Sequence, residues 1–164
     1  MIRLWQRNLL GTAAAAAALA VATVTTLWPS WSDYRDMTVP EQVVPAGESG
    51  TAAGQLWRVD RTRFYSSSPN RLNPDLPPGT LVHVVVVESE GPGLPGCSAV
   101  ITDGHRRWSA ESVAGYGPLP PGGTNAICGR PGLAQFSFLL PAGVSPTAVD
   151  LTDWMGRILV RLML

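Results

Sequence analysis

The stretch TLVHVVVVESE, residues 80–90, constrains the fold more than any other part of the chain. Side chains branched at Cβ are stiff at χ1 and pack well on a pleated surface, so the run favours a strand over a helix. Its apolar residues are nearly continuous rather than alternating, which marks a strand buried on both faces. Such a strand needs neighbours at both edges and a cover above and below.

The sequence after Trp31 supplies those neighbours. GQLWRVDRTRFY sets Leu56, Arg58 and Asp60 against Trp57 and Val59, one side wet and the other apolar. SAVIT and HRRWSAE flank an Asp103-Gly104 pair, the chemistry of a tight hairpin turn. AQFSFLLP places Phe136, Phe138 and Leu140 on one face, and TAVDLTDWMGRILVRLML reads as two strands joined around residues 153–156. Between them lie the Pro- and Gly-rich connections SSSPNRLNPDLPPG, GPGLPG and AGYGPLPPGGTNAICGRPG. About seven short strands with almost no helix predict an all-β fold, an antiparallel β-sandwich, with a closed barrel as the alternative. Trp57, Trp108, Phe136, Phe138 and the valines of 82–87 are the expected core.

The N-terminus is of another kind. Two arginines, Arg3 and Arg7, precede a stretch with no charged residue before Asp33. This is the pattern of an export signal whose N-terminus stays in the cytoplasm. Residues 9–28 supply the roughly 20 apolar positions that cross a bilayer, and Trp5 and Trp28, ~34 Å apart along a helix, suit the two interfaces. Pro29 is expected to end the helix there. Ala18-Leu19-Ala20 and Ala20-Val21-Ala22 also offer small-x-small cleavage sites, so a retained signal-anchor and a cleaved, secreted form both remain open. The expected organisation is a cytoplasmic segment 1–8, a membrane helix or signal core 9–28, a linker 29–53, and an extracytoplasmic domain 54–164. Within the linker TVPEQVVP is the one strand-like piece, with a loosely laid first edge strand as the alternative.

Charge excludes some functions. Twelve basic residues balance twelve acidic ones, which argues against a nucleic-acid surface. Every basic residue is arginine, which together with abundant Ala, Gly, Pro and Val reads as the imprint of a GC-rich genome.

The chemistry-bearing residues are few. Cys97 and Cys128 are the two cysteines, and in an exported domain an even, minimal count predicts a disulfide. The rival is a reactive Cys97 served by His105, but no nucleophile signature surrounds it. His83 reads as a core histidine, and two histidines without ligand spacing make no zinc site. Asp150 and Asp153 as calcium ligands are a minor alternative. No metal or cofactor is expected. Arg58, Arg61 and Arg63 on one strand, and Arg106 and Arg107 after the turn, read first as solvated faces with ion pairs. Arg106 and Arg107 are also the candidate contact for a partner protein.

The segments GQLWRVD, PPGTLVHVVVVE, CSAVITDGHRRW and LAQFSFLLPAGV together resemble an actinobacterial, mycobacterial-type family of exported or single-pass proteins with an immunoglobulin-like sandwich, over about residues 50–164. The resemblance implies an immunoglobulin-like domain of unknown biochemical role and carries no catalytic residues. The expected function is therefore non-enzymatic: a membrane-anchored extracytoplasmic protein, an accessory or interaction subunit bound to another membrane or cell-envelope protein. The alternative is a cleaved, secreted immunoglobulin-like binding protein or antigen.

Overall fold

The computed structural model describes residues 4–94 and 96–164, without the side chains at 4, 6, 7 and 10. The expected cytoplasmic segment 1–8 therefore lies partly outside the described residues. The chain divides into two units, residues 1–38 and 39–164.

The first unit is helical: α1 (Leu4–Ala22), a π-helical turn (Thr23–Leu27) and α2 (Trp28–Thr38). Within it Gly11–Thr38 is long and apolar enough to cross a membrane, and none of its apolar window is buried. Its hydroxyls are satisfied locally. Thr23, Thr25 and Ser30 donate to the carbonyls of Leu19, Val21 and Thr26 four residues back. This removes the cost of bare polar groups in an apolar medium. The helix does not end at Pro29, contrary to the sequence expectation. Proline costs a helix an N–H and presses its ring on the preceding turn. Here the wider π turn precedes it, with the Trp28 N–H bonded to the Thr23 carbonyl five residues back, and Pro29 falls in the first turn of α2, where proline is tolerated.

The second unit is a β-sandwich of two five-stranded sheets. One has the order β1-β10-β9-β5-β6, formed by β1 (Gln42–Val44), β10 (Ile158–Met163), β9 (Ala148–Thr152), β5 (Ser98–Thr102) and β6 (Arg107–Ser109). The other has the order β2-β3-β4-β8-β7, formed by β2 (Ser49–Ala52), β3 (Gln55–Tyr65), β4 (Thr80–Glu90), β8 (Gly132–Pro141) and β7 (Thr124–Asn125). Pairing is antiparallel except at two edges, where β1 runs parallel to β10 and β7 parallel to β8. The expected linker 29–53 is structured, and its strand-like piece TVPEQVVP contains β1. Its first part completes α2, and β1 and β2 then join opposite sheets. β2 has few apolar residues and gave little periodicity to read, and the pairing of β1 comes from a distant strand: the Glu41 N–H bonds the Ile158 carbonyl.

Between the sheets lie Trp57, Val85, Val87, Phe136, Phe138 and Leu140 on one side, and Ile101, Val149, Leu151, Val160 and Leu162 on the other. Trp108, an expected core residue, is half-buried at the margin. Val82, Val84 and Val86 are buried too, but they alternate with Val85 and Val87 and face away from the sandwich core. Their cover is made by the connections 66–79 and 110–123. Asn70 Nδ2 donates to the Gly115 carbonyl at 2.5 Å, Ser68 Oγ to Tyr116 at 3.0 Å, and Asn73 Nδ2 to Ala114 at 2.7 Å. Gln135 Nε2, on β8, donates to the Pro118 carbonyl at 2.7 Å. A Cβ on Gly117 would collide with the Ser137 side chain, so the cover needs a glycine there. The two faces of β4 are thus buried by different means.

β3 carries a bulge. Val59 pairs with Val87 but Arg61 pairs with Val86, so Asp60 is an extra residue. Strict alternation from Trp57 would send Arg61 and Arg63 into the core. One inserted residue reverses the alternation and turns both arginines outward. Phe64 then falls on the inner face beside His83.

The β2–β3 hairpin closes with Ala53 and Gly54 between paired Ala52 and Gln55, and both central residues have positive φ, 49° and 74°. This is type I′ geometry, for which alanine is a poor choice. Ala53→Asn is expected to raise stability by about 0.5–1 kcal/mol. A rise of a few degrees in the unfolding midpoint checks it; an unchanged or lowered midpoint contradicts it.

Candidate functional site

The residues around the Asp103-Gly104 turn are bound up in the hairpin itself. β5 and β6 pair Thr102 with Arg107, leaving a four-residue connection, 103–106, rather than a two-residue turn. Gly104 has positive φ, 94°. The Asp103 carboxylate accepts the backbone N–H groups of His105 (2.9 Å) and Arg106 (2.7 Å), and Arg106 grips its other oxygen with two nitrogens, at 3.0 and 2.8 Å. The N–H donors of Arg106 and then His105 hold this carboxyl down at about 2, helped by the Arg106 side chain. The Arg106 guanidinium also stands 5.3 Å above the Trp108 ring. Arg106 therefore fastens the turn.

Arg107 belongs to a second cluster on the outer face of the β9 sheet. Arg161 meets Asp150 with Nε at 2.6 Å and Nη2 at 2.8 Å, a bidentate fork, and Arg107 Nη2 reaches the same carboxylate at 3.3 Å. Asp150 is 0% exposed although it sits on an outer face, because the two arginine stems lie across it. The hydrogen bond to Asp150 raises the Arg161 guanidinium, against the lowering effect of burial. The cluster ties β6, β9 and β10 together. Its signal in the sequence was one acid inside an apolar strand, Val149-Asp150-Leu151, with Arg161 in the next.

Asp153 is similarly used. It accepts from the N–H groups of Met155 (2.8 Å) and Arg157 (3.0 Å) and from Arg157 Nε (2.8 Å). Burial pushes its carboxyl up, but the Arg157 side chain and the two backbone donors outweigh it and the net direction is down. Both acids considered as calcium ligands thus hold arginines. Among the described residues, no three of His, Cys, Asp or Glu cluster as a metal site would require.

Cys97 and Cys128 form a disulfide, with Cα atoms 5.4 Å apart and a sequence separation of 31. Neither sulfur is a free thiol, and His105 is exposed on the turn. Trp5 and Trp28 are both exposed on the helix.

His83 faces inward on β4, paired with Phe138 and stacked on Phe64 at 3.9 Å between ring centroids. It is 2% exposed and neither ring nitrogen has a hydrogen-bond partner. Burial lowers its pKa from 6.5 to about 4. The imidazole is neutral when folded and takes up a proton more readily when unfolded. Stability is therefore full above pH 6.5 and falls as pH drops from 6.5 to about 4, by an amount on the order of 2–3 kcal/mol. Urea titrations across this window check the fall. His83→Leu is expected to flatten it, and an equally steep fall in that variant would assign the effect elsewhere.

A surface crevice of about 230 Å³ lies on the outer face of the β3–β4 sheet, where the cover stops short. Val84 and Val86 form its floor, Arg61, Arg63 and Tyr65 one wall, and Pro118, Leu119 and Pro121 the other. Arg61 bonds Asp60 at 2.8 Å, and Arg58, one step along the strand, pairs with Glu88. Arg63 has no ion-pair partner among the described residues. The sequence placed these arginines on one strand; the bulge and the proline wall that make a site of them were not visible.

No family model matches this chain, and no curated protein does. Two solved structures overlap it. One is MPT63, a secreted protein from Mycobacterium tuberculosis: 17% identity, 77% of this chain and 99% of that one, TM-score 0.42. The other is an uncharacterised β-sandwich protein from Clostridium difficile 630: 13% identity, 76% of this chain and 94% of that one, TM-score 0.37. Likenesses this loose carry no inference about ligand or role.

Proposed function

We propose that this chain is a non-enzymatic, membrane-anchored extracytoplasmic protein, an immunoglobulin-like accessory or interaction module of an actinobacterial-type cell envelope. One observation carries the reading. An apolar helix with no buried window, Gly11–Thr38, is joined by residues 39–41 to the first strand of a disulfide-stapled sandwich. A helix of this kind without a protein cover has an apolar solvent as its natural surroundings. Exposed Trp5 near one end, and Trp28, Trp31 and Tyr34 near the other, are suited to the two water–lipid boundaries. A disulfide persists in oxidising surroundings and so favours the outer side of the membrane for residues 39–164.

Intact mass of the protein from its own membranes tests the anchor. The expected mature chain retains Trp5 and Trp28 and stays in the pellet after a carbonate wash. A mature N-terminus at Val21 or Thr23, with the protein in the medium, would replace the anchor by a cleaved leader. Mild detergent extraction with mass spectrometry tests the accessory role. A stoichiometric membrane or envelope partner is expected, and free monomer in several detergents contradicts it.

A further inference from the structure

We propose that the crevice on the outer face of the β3–β4 sheet binds a small monocarboxylate with an apolar body, a single ring or a short alkyl chain, whose acid group is taken by Arg63.

Three features of the crevice lead there. First, its floor and far wall are mainly apolar, with Val84, Val86, Leu119 and two prolines beside the Gln135 amide. An occupant must offer apolar surface to displace water from them with profit. Second, the charge is specific. Arg61 and Arg63 bring two positive charges to one wall, and Asp60 neutralises one of them. What remains is one guanidinium with no acidic partner among the described residues, and a guanidinium fork matches a carboxylate in both charge and geometry. Tyr65 adds a hydroxyl on the same wall. Third, the site is rigid before anything binds. Pro118 and Pro121 have fixed φ, the Pro118 carbonyl is held by Gln135, and the adjoining Gly117 packs against Ser137. Little ordering is needed on binding.

Size limits the occupant. At about 230 Å³ the crevice is below the roughly 300–1,000 Å³ of sites that enclose drug-sized ligands. A body of one ring or a short chain matches this volume. The bulge at Asp60 belongs to the same design, because it sends Arg61 and Arg63 to this face.

The experiment uses the full chain in detergent micelles, with 4-fluorobenzoate as probe and its fluorine resonance as readout. Saturable binding is expected, with a Kd on the order of 1 mM for so few atoms. Arg63→Gln is expected to weaken it roughly tenfold or more. Leu119→Glu, which places a negative charge on the opposite wall, is expected to abolish it. Arg107→Gln, on the other sheet, serves as the unaffected control. The uncharged 4-fluorobenzamide reports partition into the micelle and is expected to bind far more weakly. Octanoate competing with the probe assigns the site to acyl-chain acids; octanoate failing to compete assigns it to planar ones. Equal binding of acid and amide, or an Arg63→Gln protein that binds as well as wild type, overturns the proposal. So does a lack of saturation by both acids.

Discussion

Trp57→Ala is expected to destabilise the sandwich by about 3–5 kcal/mol, a large part of the roughly 5–15 kcal/mol that holds a domain of this size together. The indole is among the largest fully buried side chains and lies on the inner face of β3, near its start. Its polar end is also satisfied, since Nε1 donates to the Ala52 carbonyl at 3.1 Å. Truncation removes the apolar area, opens a cavity between rigid sheets and strips the β2–β3 hairpin of a cross-link. Urea unfolding followed by far-UV circular dichroism gives the number, with an unchanged m-value as the sign of an intact native fold. Trp57→Phe keeps most of the volume and loses only the hydrogen bond and one ring, so its cost is expected to be well under that of the alanine. A loss below 1 kcal/mol for Trp57→Ala would mean that the sheets close over the gap.

The second large effect belongs to the disulfide. Replacing both Cys97 and Cys128 by alanine is expected to cost about 3–4 kcal/mol, the chain-entropy value for a closed loop of about 30 residues. Alanine is the better choice than serine because both sulfurs are buried in the core, where hydroxyls would need partners. The loss should not be felt evenly. The bridge joins the residue before β5 to the loop between β7 and β8, just beyond the covering segment 110–123. Hydrogen exchange at residues 110–123 is therefore expected to rise more than in β4 or β8. Uniform loosening of the whole sandwich would argue that the bridge acts only on the unfolded chain.

The readable part of this fold was the part governed by local chemistry. Strand β4 announced itself by its valines, and its burial on both faces followed from the absence of alternation. The Asp103-Gly104 hairpin and the β9–β10 pair were legible from turn residues, and the cysteine pair from its number. What escaped depended on partners far away in sequence. β2 has too few apolar residues to signal a strand, and β1 showed only as the strand-like piece TVPEQVVP; both pair because Ile158–Met163 and Gln55–Arg58 offer them free edges. The helix passes Pro29 because a π turn absorbs the defect, which no propensity records. The crevice depends on a bulge that reverses the faces of β3 and on Asn70, which binds a carbonyl 45 residues away. Arg106 and Arg107 were grouped as neighbours, yet one fastens its own turn and the other reaches the carboxylate on β9.

The bridge from Cys97 to Cys128 also has a covalent consequence. All the exposed turn-rich chain between β6 and β7 lies inside the ring that it closes. A protease that cuts there once releases no fragment. The two pieces stay joined through sulfur, with sheets on both sides of the cut still paired, and separate only after reduction. The ring thus turns a stretch of exposed backbone into one whose first break leaves the domain in a single covalent piece.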